Sequence, residues 1–348
     1  MLKRLSPLNV FFKDADKKPW HQLLRELIVF AYIKRSLPID YFRKFLYRKE
    51  IVNYLDYLTL NEHNNILDSK KIVFHEISEL LNNKLSFKLI CMSSNIPTST
   101  MMGYNLKDRF VTEGMVQSIR TIENLIALFE ILLNKTQNKR LFLKPLDGIG
   151  GEGCLLLTPE NIKEQLNLYG NQILTTSFIH EACIEQHPEI KKIHPHAINT
   201  LRVLHYIDDK HNVHILSSLM RFGVGTSITD NLSKGGFCVG INSDTGSLKK
   251  NGHQWITKGG AIFYKHPETD FILEGFEIPY FKEACELVKL LGTYFPSRIV
   301  GWDIAITPTG PIVLEGNHNP GISMSEIAYG GFGSHPLIKE LLKEIKTK

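Results

Sequence analysis

The segment Gly301-Trp302-Asp303-Ile304-Ala305-Ile306-Thr307-Pro308-Thr309-Gly310-Pro311-Ile312-Val313-Leu314-Glu315-Gly316-Asn317 constrains this chain more than any other, because it reads as a β-hairpin aiming two carboxylates at one point. Apolar, β-branched runs flank Pro308-Thr309-Gly310, which suits a three-residue loop with Gly310 in the left-handed conformation. Pairing Thr307 with Pro311 sets Asp303 opposite Glu315, and Asn317 follows two residues on along the same face. Like charges directly opposed on a sheet are destabilising. Neither strand supplies a Lys or Arg, so a hard divalent cation with oxygen ligands, most naturally magnesium carrying phosphates, is expected between the acids. The alternative is a solvent-facing hairpin whose acids only keep it soluble.

With 348 residues, 43% of them hydrophobic, the chain can bury a large core and divide into two or three lobes. Cys91, Cys154, Cys183, Cys238 and Cys285 are odd in number, widely spaced and free of any Cys-x-x-Cys, so neither a disulfide framework nor a cysteine zinc site is indicated. A reducing cytoplasm is the expected location. The apolar stretch 27–33 is too short to span a bilayer, and Pro7, Asp14 and Asp16 break residues 1–20 in a way unlike a signal peptide.

The net charge of +5 is unevenly spread: residues 1–50 hold twelve Lys/Arg against five Asp/Glu, interleaved with Trp20, Phe30, Tyr32, Tyr41, Phe42, Phe45 and Tyr47 at roughly helical spacing. Two readings stay open. The helices pack on the main body with a solvated basic face, or they dock peripherally on an anionic membrane surface, at the inner membrane face, or on an anionic glycan. No motif points to nucleic acid.

Residues 1–80 read as mostly helical, with a break at Pro38 and a second helical pattern over 72–81. A short amphipathic helix over 83–91 ends at Asn95-Ile96-Pro97, and another helix is expected over 117–135, beginning near Val116 and Gln117. Strands follow over 141–144, 154–158, 172–180, 200–207 and 213–221, with a helix from Glu160, a helix over 280–291 and a last one over 335–345. Strands and helices mix without βαβ alternation, which indicates α+β lobes.

Lys144 ends a strand, and Asp147-Gly148-Ile149-Gly150-Gly151-Glu152-Gly153 follows, four glycines in six positions that free backbone N–H groups for phosphate oxygens. Gly148, Gly150 and Gly153 formally satisfy G-x-G-x-x-G, but a dinucleotide site needs a helix next, whereas Cys154-Leu155-Leu156-Leu157 reads as a strand. A hairpin flap over phosphates fits better, with a surface loop lacking any ligand as the alternative. A protein kinase would need His-Arg-Asp and Asp-Phe-Gly, and both are missing, as is a Walker-type loop.

After the strand 172–180, the edge near Glu181, Ala182 and Ile184 could hydrogen-bond adenine, with Ile179 and Ile184 enclosing it. Arg202 and Arg221 each sit on an apolar strand and need an anionic partner, either a phosphate or carboxylate ligand or a plain salt bridge. Asn231, Gly235 and Gly236 form a loop that could line a substrate. His187, His194 and His196 lack the carboxylate pattern of a zinc site, and Cys183 lacks a base.

The order of these elements resembles the ATP-grasp superfamily of carboxylate ligases over roughly residues 80–325. The resemblance lies in Asn83-Lys84-Leu85-Ser86-Phe87-Lys88-Leu89 with Asn95-Ile96-Pro97, Phe142-Leu143-Lys144-Pro145 with its glycine flap, Glu181-Ala182-Cys183-Ile184, Asp303, and Glu315-Gly316-Asn317-His318-Asn319-Pro320-Gly321. It implies an α+β ATP-grasp fold, two lobes clasping ATP, with a mainly helical N-terminal extension: residues 1–83 helical and basic, 84–184 a central and lid lobe, 185–348 a C-terminal lobe with the magnesium site. It implies that Lys84 and Lys144 hold ATP phosphates under a flap containing Gly148, Gly150, Gly151 and Gly153. Glu181, Ala182 and Ile184 would meet adenine, and Asn199 would face the ribose. Arg202 and Arg221 would contact the γ-phosphate or the carboxylate under attack, with Lys144 also catalytic. Asp303, Glu315 and Asn317 would hold two magnesium ions, and Asn231, Gly235, Gly236 and Asn319 would meet substrate.

Gln186-His187-Pro188, Asn199-Thr200-Leu201-Arg202, Asp230-Asn231, Gly235-Gly236 and Gly301-Trp302-Asp303 resemble the sugar-transfer-associated branch, which is linked to bacterial surface polysaccharides. That implies joining an amine or amino acid to a sugar acid or amino acid through an acyl phosphate. A kinase or thioester-forming ligase on the same fold and a non-catalytic nucleotide-binding adaptor are the alternatives. The superfamily usually opens with a small α/β domain, whereas residues 1–80 here look helical.

Overall fold

The computed structural model describes residues 6–147 and 152–346. Helices α1 (Pro7–Lys13), α2 (Trp20–Lys34), α3 (Ile39–Arg43), α4 (Leu60–Leu67), α5 (His75–Asn82) and α6 (Lys84–Ser93) come first. Strands β1 (Met101–Leu106), β2 (Arg109–Thr112) and β3 (Met115–Ser118) lead to α7 (Ile122–Lys135), then β4 (Leu141–Pro145), β5 (Leu155–Leu157), α8 (Ile162–Thr175), β6 (Ser177–Ala182) and α9 (Pro188–Lys191). There follow β7 (Thr200–Ile207), β8 (Val213–Phe222), β9 (Phe237–Ile241), β10 (Leu248–Gln254), β11 (Ile262–Phe263), α10 (Phe281–Tyr294), β12 (Ile299–Thr307), β13 (Gly310–Asn317), α11 (Ser323–Tyr329) and α12 (Pro336–Lys346).

The helix starts have local causes. Thr59 and Glu62 form a reciprocal capping box on α4, and the Asn83 side chain accepts the Ser86 N–H at 2.9 Å to open α6. The expected helix from Val116 starts instead at Ile122, capped by Thr121, because Met115–Ser118 pairs with β2 as an exposed edge strand. The strand expected from Gln172 starts at Ser177, since Gln172–Thr175 is still the last turn of α8.

The strands make two antiparallel sheets, one in the order β3-β2-β1-β6-β4-β5 and one in the order β11-β10-β9-β8-β7-β12-β13. Leu141, Leu143, Leu157, Phe178 and the inner faces of α7 and α8 fill the core of the first. Trp302, Ile304, Val203, Met220 and the inner face of α10 fill that of the second, and Phe87 and Cys91 of α6 are packed into it.

The N-terminal helices belong to the body of the protein. Phe30, Tyr41, Leu46 and Tyr47 are fully buried. The Lys44 ammonium is paired with the buried Glu326 carboxylate of α11, which also accepts the Leu58 N–H at 2.8 Å. The face of α2 turned away from this core nevertheless carries Trp20, Leu24, Ile28 and Tyr32, 61%, 60%, 70% and 83% exposed. No described helix is long and apolar enough to cross a membrane.

The hairpin β12–β13 opposes Asp303 and Glu315 as expected, by a different route. Thr307 pairs with Gly310, not Pro311, so the loop is the two residues Pro308 and Thr309, and Gly310 takes φ 134°, a conformation glycine adopts without steric cost. An uninterrupted ladder from that turn would set Glu315 opposite Trp302 in the core. A β-bulge between Asp303 and Ile304 takes up Leu314 as an extra residue and returns Glu315 to the face of Asp303. Gly316 then lies against the Trp302 ring, where a Cβ would come within 2.5 Å of it.

Candidate functional site

Between the two sheets lies a cleft of about 400 Å³. The first sheet turns Phe142, Lys144, Leu156, Glu181 and Ala182 into it, and Cys183 and Ile184 continue the wall. The second contributes Thr200, Arg221, Asp303, Leu314 and Glu315, with Asp230 and Asn231 from the loop after β8. Lys84, in the first turn of α6, also lines it, and its ammonium donates to the Leu146 carbonyl at 3.2 Å.

Opposite charges are arranged in two linked groups. In the first, buried Glu181 accepts from Lys88 Nζ at 2.5 Å, Lys144 Nζ at 2.6 Å and Ser99 Oγ at 2.6 Å. Burial would raise the Glu181 carboxyl, but the two ammonium groups outweigh it and hold it down at about 2. Burial likewise opposes charge on Lys144, and Glu181 overrules it and lifts Lys144 above its ordinary value. Lys84 is pulled down by burial, offset in part by Glu315.

In the second group, Asp303 lies directly across the ladder from Arg202 and accepts its Nε at 2.5 Å; its other oxygen accepts Arg221 Nη2 at 2.8 Å. The positive charge missing from the hairpin therefore comes from β7 and β8. Arg221 also donates to Thr200 Oγ1 from Nε at 3.0 Å and lies 3.4 Å from Asp230, which accepts the Thr200 hydroxyl at 2.6 Å. Despite its burial, Asp303 is held well below the usual carboxylate range by Arg202 and Arg221. Glu315 goes the other way, raised by burial and then by the Asp303 charge beside it. Asn317 Nδ2 sits 3.5 Å from Glu315 Oε1. Glu315 is thus a buried oxygen donor without a close cation of its own among the described residues, and this donor set fits a hard divalent ion.

Several expectations need correction. Asn199 is fully buried and committed to the protein: its N–H donates to Gln186 Oε1 at 2.6 Å, its amide donates to the His194 carbonyl at 2.9 Å, and its Oδ1 accepts the Gly223 N–H at 3.3 Å. It is not on the cleft wall and does not face a ribose there. The Glu181 side chain is spent on lysines and Ser99 rather than turned to a base, and Ile179 is buried away from the cleft. Arg202 reaches the cleft only through Asp303. Gly235, Gly236 and Asn319 are not on the wall, and Asn317 approaches it only through Glu315 beside it; Gly235 takes φ 104° and caps a turn, and a Cβ at Gly236 would meet the Phe222 carbonyl at 2.6 Å. Gly148, Gly150 and Gly151 lie outside the described residues, while Gly153 takes φ 70°. Burial pushes the Cys183 thiol up to about 11, in keeping with a side chain that is no nucleophile.

Lys88, Thr200, Asp230 and the apolar wall of Phe142, Leu156 and Leu314 were assigned no role of their own from the sequence. Lys88 carried a usable signal, standing four residues after Lys84 on the same face of α6.

A family profile described as sugar-transfer associated ATP-grasp matches residues 69–341. No curated protein matches this chain. Among solved structures it is similar to D-alanyl-alanine synthetase A from Vibrio cholerae O1 biovar eltor, with 12% identity over 80% of this chain and 68% of that one and a TM-score of 0.47. It is also similar to the D-alanine-D-alanine ligase from Coxiella burnetii, with 12% identity over 79% of this chain and 61% of that one and a TM-score of 0.44. For an L-amino acid ligase from Bacillus licheniformis the figures are 11%, 76%, 48% and 0.41. The chain thus spans less than two thirds of the last two.

Proposed function

This chain belongs to the sugar-transfer associated ATP-grasp family, and we propose that it is an ATP- and magnesium-dependent ligase joining a carboxylate to an amine through an acyl phosphate. The observation that carries the proposal is the opposition, across one cleft, of Lys84 and Lys144 on one side and the Asp303–Glu315 pair on the other. Cations that hold phosphate oxygens thereby share a cleft with a carboxylate pair in which Asp303 is balanced by Arg202 and Arg221 and Glu315 has no ion pair of its own among the described residues.

In this reading Phe142, Leu156, Ile184 and Leu314 enclose the adenine, and the backbone near Ala182 and Ile184 hydrogen-bonds its edge. Lys84 and Lys144 hold phosphate oxygens, Lys144 kept charged and aimed by Glu181. Asp303, Glu315 and Asn317 would hold two magnesium ions, which when bound neutralise charge on the phosphates. A substrate carboxylate attacks the γ-phosphorus in line, releasing ADP. The amine then attacks the activated carbonyl, expelling phosphate. Arg221, fixed by Thr200 and Asp303, presents its guanidinium to the carboxylate and to the oxyanion that follows. Arg202 acts through Asp303 as a positioning residue. We assign the nucleotide cleft to lobes 84–184 and 185–348. We further propose a sugar acid or amino acid as carboxyl donor and an amino acid or amine as acceptor in a surface-polysaccharide pathway; the family's description as sugar-transfer associated supports the link to sugar transfer.

The exposed apolar stripe of α2, beside the exposed Lys13, Arg25 and Arg35, supports a peripheral dock on an anionic membrane surface at the cytoplasmic face. The buried part of residues 1–50 argues that the same segment is also core.

A mass-spectrometric screen of sugar acids and amino acids against an amine panel tests the ligase reading. ADP release should require both a carboxylate and an amine and should be lost in Glu315→Gln. Hydroxylamine should trap a hydroxamate. ADP formed on a hydroxyl acceptor, with no hydroxamate, would make the protein a kinase.

A further inference from the structure

Beside the cleft wall, two segments distant in sequence bring His194, His266 and Glu268 together, with one donor atom from each lying within 4.8 Å of the others. His194 follows α9, while His266 and Glu268 lie in the turn after β11. Both imidazoles are fully buried, and their ring centroids are 4.9 Å apart. The Glu268 side chain is 41% exposed.

Hydrogen bonding within the protein leaves His194 unsatisfied and serves one face of His266 poorly. His266 Nε2 lies 3.0 Å from the Gly223 carbonyl, an acceptor, so that nitrogen must carry the proton. In a neutral ring Nδ1 is then an acceptor, which receives only a long 3.4 Å contact from the Glu268 backbone N–H, while Glu268 Oε2, another acceptor, stands 3.2 Å from it. A cation between the ring nitrogen and that carboxylate oxygen suits the pair better than the long contact does. His194 adds a second and independent deficit, because neither of its buried ring nitrogens has a hydrogen-bond partner. The Ser227 backbone approaches its ring without meeting hydrogen-bond geometry. Each orphaned buried nitrogen costs about 1–3 kcal/mol, which a native fold rarely leaves unspent.

We propose that His194, His266 through Nδ1 and Glu268 through Oε2 bind a zinc ion. Two neutral imidazoles and a carboxylate form a donor set suited to zinc and unlike the oxygen set of Asp303, Glu315 and Asn317. The Gly223 carbonyl, accepting from His266 Nε2, fixes the tautomer that exposes Nδ1, as outer partners of zinc-binding histidines do. Glu268 is itself steadied through Oε1, which accepts the Gly225 N–H at 2.9 Å. The fourth position falls to water or to His196, whose ring centroid is 5.7 Å from that of His194. The site ties together the segment before β7 and, through Gly223 and Gly225, the loop after β8, with the two ligands in the turn after β11. The first two of these carry His196, Ile198, Thr229 and Asp230 to the cleft wall, so zinc would brace the wall that places Asp230 against Arg221. This proposal stands whether or not the chain is a ligase.

The test uses the full-length protein, purified without chelator. Elemental analysis should find about one zinc per chain. Stripping with a transition-metal chelator should lower the thermal midpoint, and zinc, but not magnesium, should restore it. Cobalt added to the stripped protein should give the visible absorption of a tetrahedral site. Glu268→Gln, at a part-exposed position that keeps the fold intact by circular dichroism, should weaken zinc retention at least ~10-fold, and His194→Gln should do the same. Absence of retained zinc together with no midpoint shift on adding it would overturn the proposal. So would equal zinc content in the wild-type protein and both variants, which marks an adventitious ion.

Discussion

Replacing Glu181 by Gln removes one carboxylate that neutralises two lysines, and the structure sets the size of the effect. A carboxyl moved from 4.5 to about 2 corresponds to about 3 kcal/mol of preference for the charged form inside the fold. Breaking a buried ion pair from one side costs a similar ~3–5 kcal/mol, because the partner charge stays behind. Lys88 is buried with Glu181, and its remaining partners, Thr98 Oγ1 at 2.8 Å and the Ser99 carbonyl at 2.9 Å, are neutral. Glu181→Gln should therefore destabilise by about 3 kcal/mol, read as a lower urea midpoint at unchanged slope. The pH dependence carries the sign. A depressed carboxyl contributes fully above 4.5 and loses its contribution as pH falls toward about 2, so the wild-type protein should lose stability across that window and the variant should lose less. Adding Lys88→Met removes the stranded ammonium and should recover at least half of the loss. A single variant costing under ~1 kcal/mol, or a double variant no more stable than the single, would refute the reasoning.

Four further outcomes are expected. Glu315→Gln should lower ADP release at least ~10²-fold with the circular dichroism spectrum unchanged, and undiminished turnover would remove Glu315 from the site. Because burial and Asp303 raise the Glu315 carboxyl, a proton competes with magnesium for it as pH falls; the thermal gain from magnesium should grow as pH rises through that raised value, whereas a pH-independent gain would show that no proton competes. Arg221→Lys cannot span Thr200, Asp303 and Asp230 at once and should lower kcat by ~10²-fold or more with little change in KM for ATP, as steady-state kinetics would show. Leu24→Glu with Ile28→Glu should abolish sedimentation with phosphatidylglycerol vesicles while leaving ADP release intact; unaltered sedimentation would take α2 out of membrane contact.

What the sequence made legible was whatever rests on short-range pattern. The alternation around Asp303, the paired strands from Leu141 and Leu155 and the helix behind Lys84 all depend on neighbouring residues, and all appear in the structure. Met115–Ser118 failed because an exposed edge strand has no apolar periodicity to separate it from the start of a helix. Asn199 and Glu181 misled for another reason. A polar side chain in a promising motif reads the same whether it meets ligand or protein, and its partners, Gln186 and Gly223 for one, Lys88 and Lys144 for the other, become neighbours only through tertiary packing. The arginines that neutralise Asp303 were visible as residues but not as its partners, since strand order decides that β7 lies beside β12. His194 was dismissed with His187 and His196, whereas the residues it meets, His266 and Glu268, lie on another segment of the chain.

Leu314 is a lodger in its ladder. Excising it would let the strands close with Val313 still against Ile304 and Glu315 still against Asp303, so the acid pair would survive while the cleft lost one apolar side chain. In the proposed ligase, metal handling and base affinity would share a strand and could therefore be separated by changing the length of that strand and no side chain that bears charge. A chain lacking this residue would keep its magnesium response and loosen its grip on the nucleotide base, a division of labour that substitution at Glu315 cannot achieve.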